Sequence, residues 1–159
     1  MTIIYILVFI IIGEILRNKN TFFHFLYILP GTIFHELSHF IFGMLFFASP
    51  VNFSLIPKKN ENGWTLGSVS FKNINFFNAV PISMAPLILV PLSYSLYQDN
   101  NLLIAFIIYE CLFSSIPSSQ DINVAKSNIA GIILYIAILI IGGSYVIQTN
   151  HDYISSFFS

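Results

Sequence analysis

Charge is what this chain most conspicuously lacks. Only 8% of its 159 residues are Asp, Glu, Lys or Arg, against about 25% in a typical water-soluble domain. That is too little polar surface to cover a globule of this length in water. The six basic residues are scattered and the net charge is −1. With no basic patch to neutralise phosphates, nucleic acid is not an expected partner. Cys111 is the only cysteine, so an internal disulfide and a cysteine-rich zinc site are both excluded. A buried thiol in an apolar run is the expected role. Histidine is scarce as well. Four in total, only two of them clustered, argue against the many-histidine shell of a membrane di-iron enzyme. Met1 to Ile12 contains no Lys or Arg, whereas a secretory signal carries a basic stretch ahead of its apolar core. This segment is read as a retained first helix.

What the chain does have is apolar residues, 56% of the total, with a mean hydropathy of +0.81. They come in long blocks, as expected when lipid replaces water as the solvent. The expected fold is a membrane all-α bundle, one domain over residues 1–159. About five transmembrane helices are expected, at about 3–16, 22–48, 77–97, 101–116 and 129–148, with a small membrane-surface β-hairpin at about 50–73. The first block rises only about 21 Å, and Glu14 near its end is placed to pair with Arg17 at i+3. Pro30-Gly31 interrupts the second, where a kink or a fresh start capped by Thr32 is expected. Val51, Phe53 and Leu55 alternate with Asn52 and Ser54, a strand pattern, and the alternation slips at Gly67-Ser68, where a β-bulge is expected. The third block holds Pro81, Pro86 and Pro91.

Lysines and arginines in the short loops set the orientation. Lys58, Lys59, Lys72 and Lys126 fall on the hairpin side, and Arg17 and Lys19 on the other. The positive-inside rule then puts the hairpin and the N-terminus on the cytoplasmic side of the cell membrane.

One cluster carries chemistry: His35-Glu36-Leu37-Ser38-His39. On a helix, residues four apart lie about 40° apart around the axis and one turn apart along it, so both imidazoles can reach one metal ion. Glu36 follows the first histidine, where its carboxylate can act as general base towards a water activated by zinc. Two histidines and a glutamate in a membrane segment are costly unless they pair or bind something. A metal-free polar core is the plainer alternative. A catalytic zinc takes a third protein ligand and keeps one position open. Asp121, just beyond Pro117, is the favoured third ligand, with Glu110 and His24 as alternatives. His151 lies in the polar tail and Asp99 in a loop on the far side. Asp121 also suits an ordinary N-terminal capping role. Glu110 also suits pairing with another polar group or lining a water-filled path.

An HExxH on a membrane helix, a β-hairpin after it and a distal aspartate beyond a proline together resemble the site-2 protease family of intramembrane zinc metalloproteases. The resemblance runs from about residue 30 to 125. It implies hydrolysis of peptide bonds in or near transmembrane segments of membrane-protein or peptide substrates. Zinc would be held by His35, His39 and Asp121, with Glu36 as base. Ser114-x-x-Pro117 stands where the family has Asn-x-x-Pro, and Gln120-Asp121-Ile122 stands in place of Leu-Asp-Gly. The alternative class is a non-proteolytic membrane metal-binding or metal-transport protein, because carboxylates and histidines within a membrane also mark ion pathways.

Overall fold

The computed structural model describes residues 1–56, 58–60, 63–97 and 101–141. It is mainly helical. Helix α1 (Thr2–Lys19) is followed after a single residue by α2 (Thr21–Leu45). Asn20 makes that junction, its side chain accepting from the N–H groups of Phe22 and Phe23 at 3.0 and 3.2 Å. These are two of the four N–H groups a helix start leaves without intrahelical partners. The Glu14–Arg17 pair forms at 2.7 Å, but both side chains are more than half exposed, and such a pair adds little stability.

Helix α2 ends in a Schellman motif. Ala48 N–H bonds Gly43 C=O at 2.8 Å and Phe47 N–H bonds Met44 C=O at 3.2 Å. Phe47 takes the left-handed conformation, φ 56°, that glycine normally supplies at this position. The turn delivers the chain into β1 (Pro50–Ser54), which pairs antiparallel with β4 (Ser68–Phe71). Beyond them β2 (Lys58–Asn60) pairs with β3 (Gly63–Thr65). The expected hairpin is present. Its register shift falls between Pro50 and Asn52, not at Gly67-Ser68, and the slip in alternation at Gly67 has another cause, described below.

The third apolar block is not one helix. It breaks into α3 (Ala79–Ser83), a 3-10 turn (Ala85–Ile88) and α4 (Leu89–Leu96). Pro86 sits early in the 3-10 turn, and a proline both lacks a donor and restricts the residue before it. Helix α5 (Leu102–Ser114), capped by Asn101 at 2.8 Å, ends just ahead of Pro117. It is followed at a 45° bend by α6 (Ser119–Ser127). Helix α7 (Ile129–Ile141) is the described part of the fifth block; residues 142–148 lie outside the described residues.

Among the described residues no single helix is long and apolar enough to cross a membrane, though α5 and α6 meet the requirement together as a bent pair. The reasons are local. Helix α1 has 18 residues but ends in Glu14, Arg17 and Lys19. Helix α2 has 25 residues, ample length for about 30 Å of hydrocarbon, but its hydropathy is lowered by His24, His35, Glu36, Ser38 and His39. Proline also does not break α2. The helix runs through Pro30, and Thr32 caps no new start; its hydroxyl bonds back to Ile28 C=O at 3.1 Å.

Helices α1, α2 and α5 pack against one another through an aromatic cluster. Phe106 meets Phe9 and Tyr27 with ring centroids 5.1 and 5.5 Å apart, and Tyr27 lies 5.8 Å from Tyr109. Tyr27 donates its hydroxyl proton to Phe9 C=O at 2.7 Å, which satisfies the one polar atom of that ring. Helix α3 packs on both α2 and α6. The middle of α2 is therefore enclosed by α3, α5, α6 and the sheet.

Candidate metal centre

His35 and His39 project from one face of α2 into this enclosure. Each ring is oriented by a backbone carbonyl near a helix end. Nδ1 of His35 donates to Ser114 C=O at 2.8 Å, and Nδ1 of His39 donates to Ile82 C=O at 2.7 Å. The acceptors follow from the prolines. In an unbroken helix, Ile82 C=O would receive the N–H of residue 86, but Pro86 has none. Ser114 C=O would receive the N–H of Ser118. Beyond Pro117 that N–H bonds instead to Asp121 Oδ2 at 2.7 Å. Two interrupted helices thus leave carbonyls where the two imidazoles need them.

Asp121 arrives by a third route. Ser118 caps α6 and forms a reciprocal capping box with Asp121: its hydroxyl accepts from the Asp121 N–H at 3.2 Å, its own N–H donates to Asp121 Oδ2 at 2.7 Å, and the hydroxyl also donates to Oδ2 at 2.6 Å. The capping role expected of Asp121 is realised, and the same side chain stands beside both histidines, where a ligand would. The box holds the carboxylate at the mouth of the helix, with Oδ1 3.3 Å from His39 Nε2 and Oδ2 3.5 Å from His35 Nε2.

A carbonyl can only accept a hydrogen bond, so each Nδ1 carries its ring's proton. The Nε2 atom of each neutral ring is then left with a bare lone pair. Those two Nε2 atoms lie 3.2 Å apart, facing the carboxylate. Lone pairs converging in this way repel one another unless a metal cation, or a proton on one of the rings, sits between them. His35, His39 and Asp121 can together hold a metal ion, their ligand atoms all lying within 4.8 Å of one another. The Nε2–Nε2 separation of 3.2 Å is close to the edge of about 3.3–3.4 Å expected for a tetrahedron with bonds of about 2.0–2.1 Å, and each Nε2 faces a different oxygen of the Asp121 carboxylate, at 3.3 and 3.5 Å. The donor set and its spacing fit such an ion.

The other candidates lie elsewhere. His24 and Glu110 are not in the triad. Glu110 is buried in α5, where Oε2 accepts the Gly31 N–H at 2.8 Å, and it also contributes to the lining of the cavity beside the triad, so it both pairs and lines the cavity. Asp99 and His151 lie outside the described residues.

Glu36 is 8% exposed and lines, with all three triad residues, a cavity of about 1070 Å³. One wall is the continuous stretch Leu66–Phe71, which includes β4; the opposite side is formed by α5 and α6. Gly67 in this wall lies directly against the motif. A Cβ there would stand 2.6 Å from Glu36 Cγ and 2.9 Å from its Oε1, so only glycine fits without moving the carboxylate. This close approach, not a bulge, accounts for the glycine at the slip. Gly67→Ala is expected to displace Glu36 by about 1 Å and lower any Glu36-dependent turnover by roughly 10–100-fold. Bound metal should be unchanged, and both are checked by rate and metal analysis on one preparation.

The site was legible from residue types except for its backbone partners. Ile82 and Ser114 contribute through carbonyls, and the only signal pointing to them is a proline following each. Comparison with family models, with curated proteins and with solved structures found no match to the chain.

Proposed function

We propose that the chain is an intramembrane zinc metalloprotease, hydrolysing peptide bonds in or near transmembrane segments of membrane proteins. The observation that carries this reading is the pair of Nε2 atoms 3.2 Å apart, each with its Nδ1 committed to a carbonyl and both facing Asp121. Two neutral imidazoles and a carboxylate form a donor set that suits zinc, whereas magnesium takes oxygen ligands. A bound zinc ion supplies Lewis-acid polarisation of a peptide carbonyl and acidifies water. Glu36, beside the triad, takes the proton from the attacking water and delivers it to the leaving amine. The Nδ1–carbonyl bonds fix the tautomer and tilt of both rings.

Membrane placement is supported by an inverted distribution of polarity. Ile3, Ile4, Leu7, Ile11 and Ile15 of α1 are exposed, as are Ile133, Leu139 and Ile140 of α7. Glu36, His39, Asn78, Ser83 and Glu110 are buried. This is the arrangement expected where lipid is the solvent, with the hairpin on the cytoplasmic side as the lysines indicate.

Among the described residues strand β4 pairs on one side only, with β1, and it lines the cavity. A helical substrate hides its peptide bonds in its own hydrogen bonds. The free edge of β4 offers an extended stretch of such a substrate a partner strand.

The test is cleavage. Purified protein in detergent, incubated with a pool of synthetic transmembrane peptides, should yield cut products detected by mass spectrometry, with loss of cutting on chelation and recovery with zinc. A protein that holds one zinc per chain but cuts none of the peptides, and moves zinc across vesicle membranes instead, would replace this reading with the transport one.

A further inference from the structure

Glu110 is 2% exposed in the middle of α5, and the chemistry above does not use it. Its Oε2 accepts the Gly31 N–H at 2.8 Å, while its Oε1 is buried with no hydrogen-bond partner among the described residues. A half-satisfied buried carboxyl is costly, and an apolar side chain would fill the same volume at lower cost. What it does is geometric. Gly31 and His35 are one turn apart on α2, and Glu110 and Ser114 are one turn apart on α5. Gly31 bonds Glu110 and His35 bonds Ser114 at the same sequence separation of 79. The two helices are therefore parallel here and joined by two rungs in one register. The upper rung is a side chain taking a backbone N–H; the lower rung is the carbonyl that orients His35. A further bond ties the rungs together along α5, from the Ser114 hydroxyl to Glu110 C=O at 2.6 Å. Gly31 permits this approach, since a Cβ there would lie 2.5 Å from Glu110 Oε2 and 3.3 Å from Ser114 Cβ.

We propose that Glu110 is a positioning residue for the metal centre, locking the axial register of α5 against α2 so that Ser114 C=O meets His35 Nδ1. This rests on the metal-centre reading of His35, His39 and Asp121. Without the upper rung, α5 can slide or rotate about its bent end at Pro117, and the His35 ring loses the partner that fixes its tilt and tautomer.

The experiment uses cobalt(II) as probe, because its visible absorption reports ligand geometry. Full-length protein in detergent is stripped of metal and titrated with cobalt(II), for wild type, Glu110→Gln and Glu110→Leu. Glutamine keeps an oxygen for the Gly31 N–H, so its affinity should stay within about threefold of wild type with an unchanged spectrum. Leucine removes the rung, and the affinity should fall roughly tenfold, the lower end of what losing an outer-shell partner costs, with a shifted absorption band. Rescue by glutamine separates positioning from mere filling of space, since leucine fills the space too. If Glu110→Leu does not fold, Gly31→Ala breaks the same rung from the other helix and should give the same shifted band. A folded Glu110→Leu or Gly31→Ala protein with wild-type affinity and spectrum overturns the proposal while leaving the metal centre intact. Wild-type protein that takes up no cobalt(II) overturns the metal centre itself.

Discussion

Glu36→Gln is expected to abolish hydrolysis while leaving the bound metal in place. Glutamine matches glutamate in size, and Glu36 stands outside the set of ligand atoms, which comes from His35, His39 and Asp121. Metal content should therefore remain at the wild-type level. The side chain can no longer accept a proton from water, and loss of a positioned general base typically lowers rates by about 10²–10⁴-fold. Because the proposed mechanism uses Glu36 for both the attack and the departure of the amine, the upper end of that range is expected. Peptide cleavage followed by mass spectrometry, with metal analysis on the same sample, reads both halves. Retained cleavage would remove Glu36 from the mechanism. Loss of metal together with cleavage would show that the residue acts on the ion, not on the water.

Asp121→Asn has the second large effect, and it separates the two jobs of this side chain. Asp121 closes the capping box with Ser118 through Oδ2 and faces His39 through Oδ1. Asparagine can keep its oxygen on the capping side and turn its NH2 group towards the bare Nε2 of His39. The start of α6 is then preserved and the carboxylate ligand is lost. Loss of an outer-shell partner costs about 10–100-fold in metal affinity, and loss of a direct ligand should cost more, so a drop of over about 100-fold is expected with little change in helix content. Asp121→Ala removes the cap as well and should lower stability by a further roughly 1 kcal/mol. Zinc titration and thermal unfolding followed by circular dichroism distinguish the two variants. An Asp121→Asn protein that binds zinc as tightly as wild type would assign the third ligand elsewhere.

Much of the site could be read from the chain because helical periodicity alone brings His35, Glu36 and His39 to one face. The approach of Asp121 to them depends on tertiary packing, yet its residue type and its place beyond Pro117 left few competitors. Backbone acceptors were harder to foresee. The carbonyls of Ile82 and Ser114 carry no residue identity, and only the prolines downstream, Pro86 and Pro117, mark them. Pro86 also marks the largest departure in the fold, since the block at 77–97 holds three short elements where one helix was expected. At Pro30 the opposite happened. The helix continued through the proline, and α5 brought Glu110 against the next N–H. Local rules describe what proline removes; whether the chain breaks there depends on which neighbour can supply a partner. The glycine at 67 was noticed for the wrong reason, because a close approach between distant segments leaves the same mark in a strand as a bulge.

The most direct measurement is the zinc content of purified wild-type protein in mild detergent, determined by elemental analysis after dialysis against metal-free buffer. About one zinc per chain is expected, falling to near zero in His35→Ala. Folded wild-type protein that holds no zinc, and takes up none when it is added back, would contradict the account.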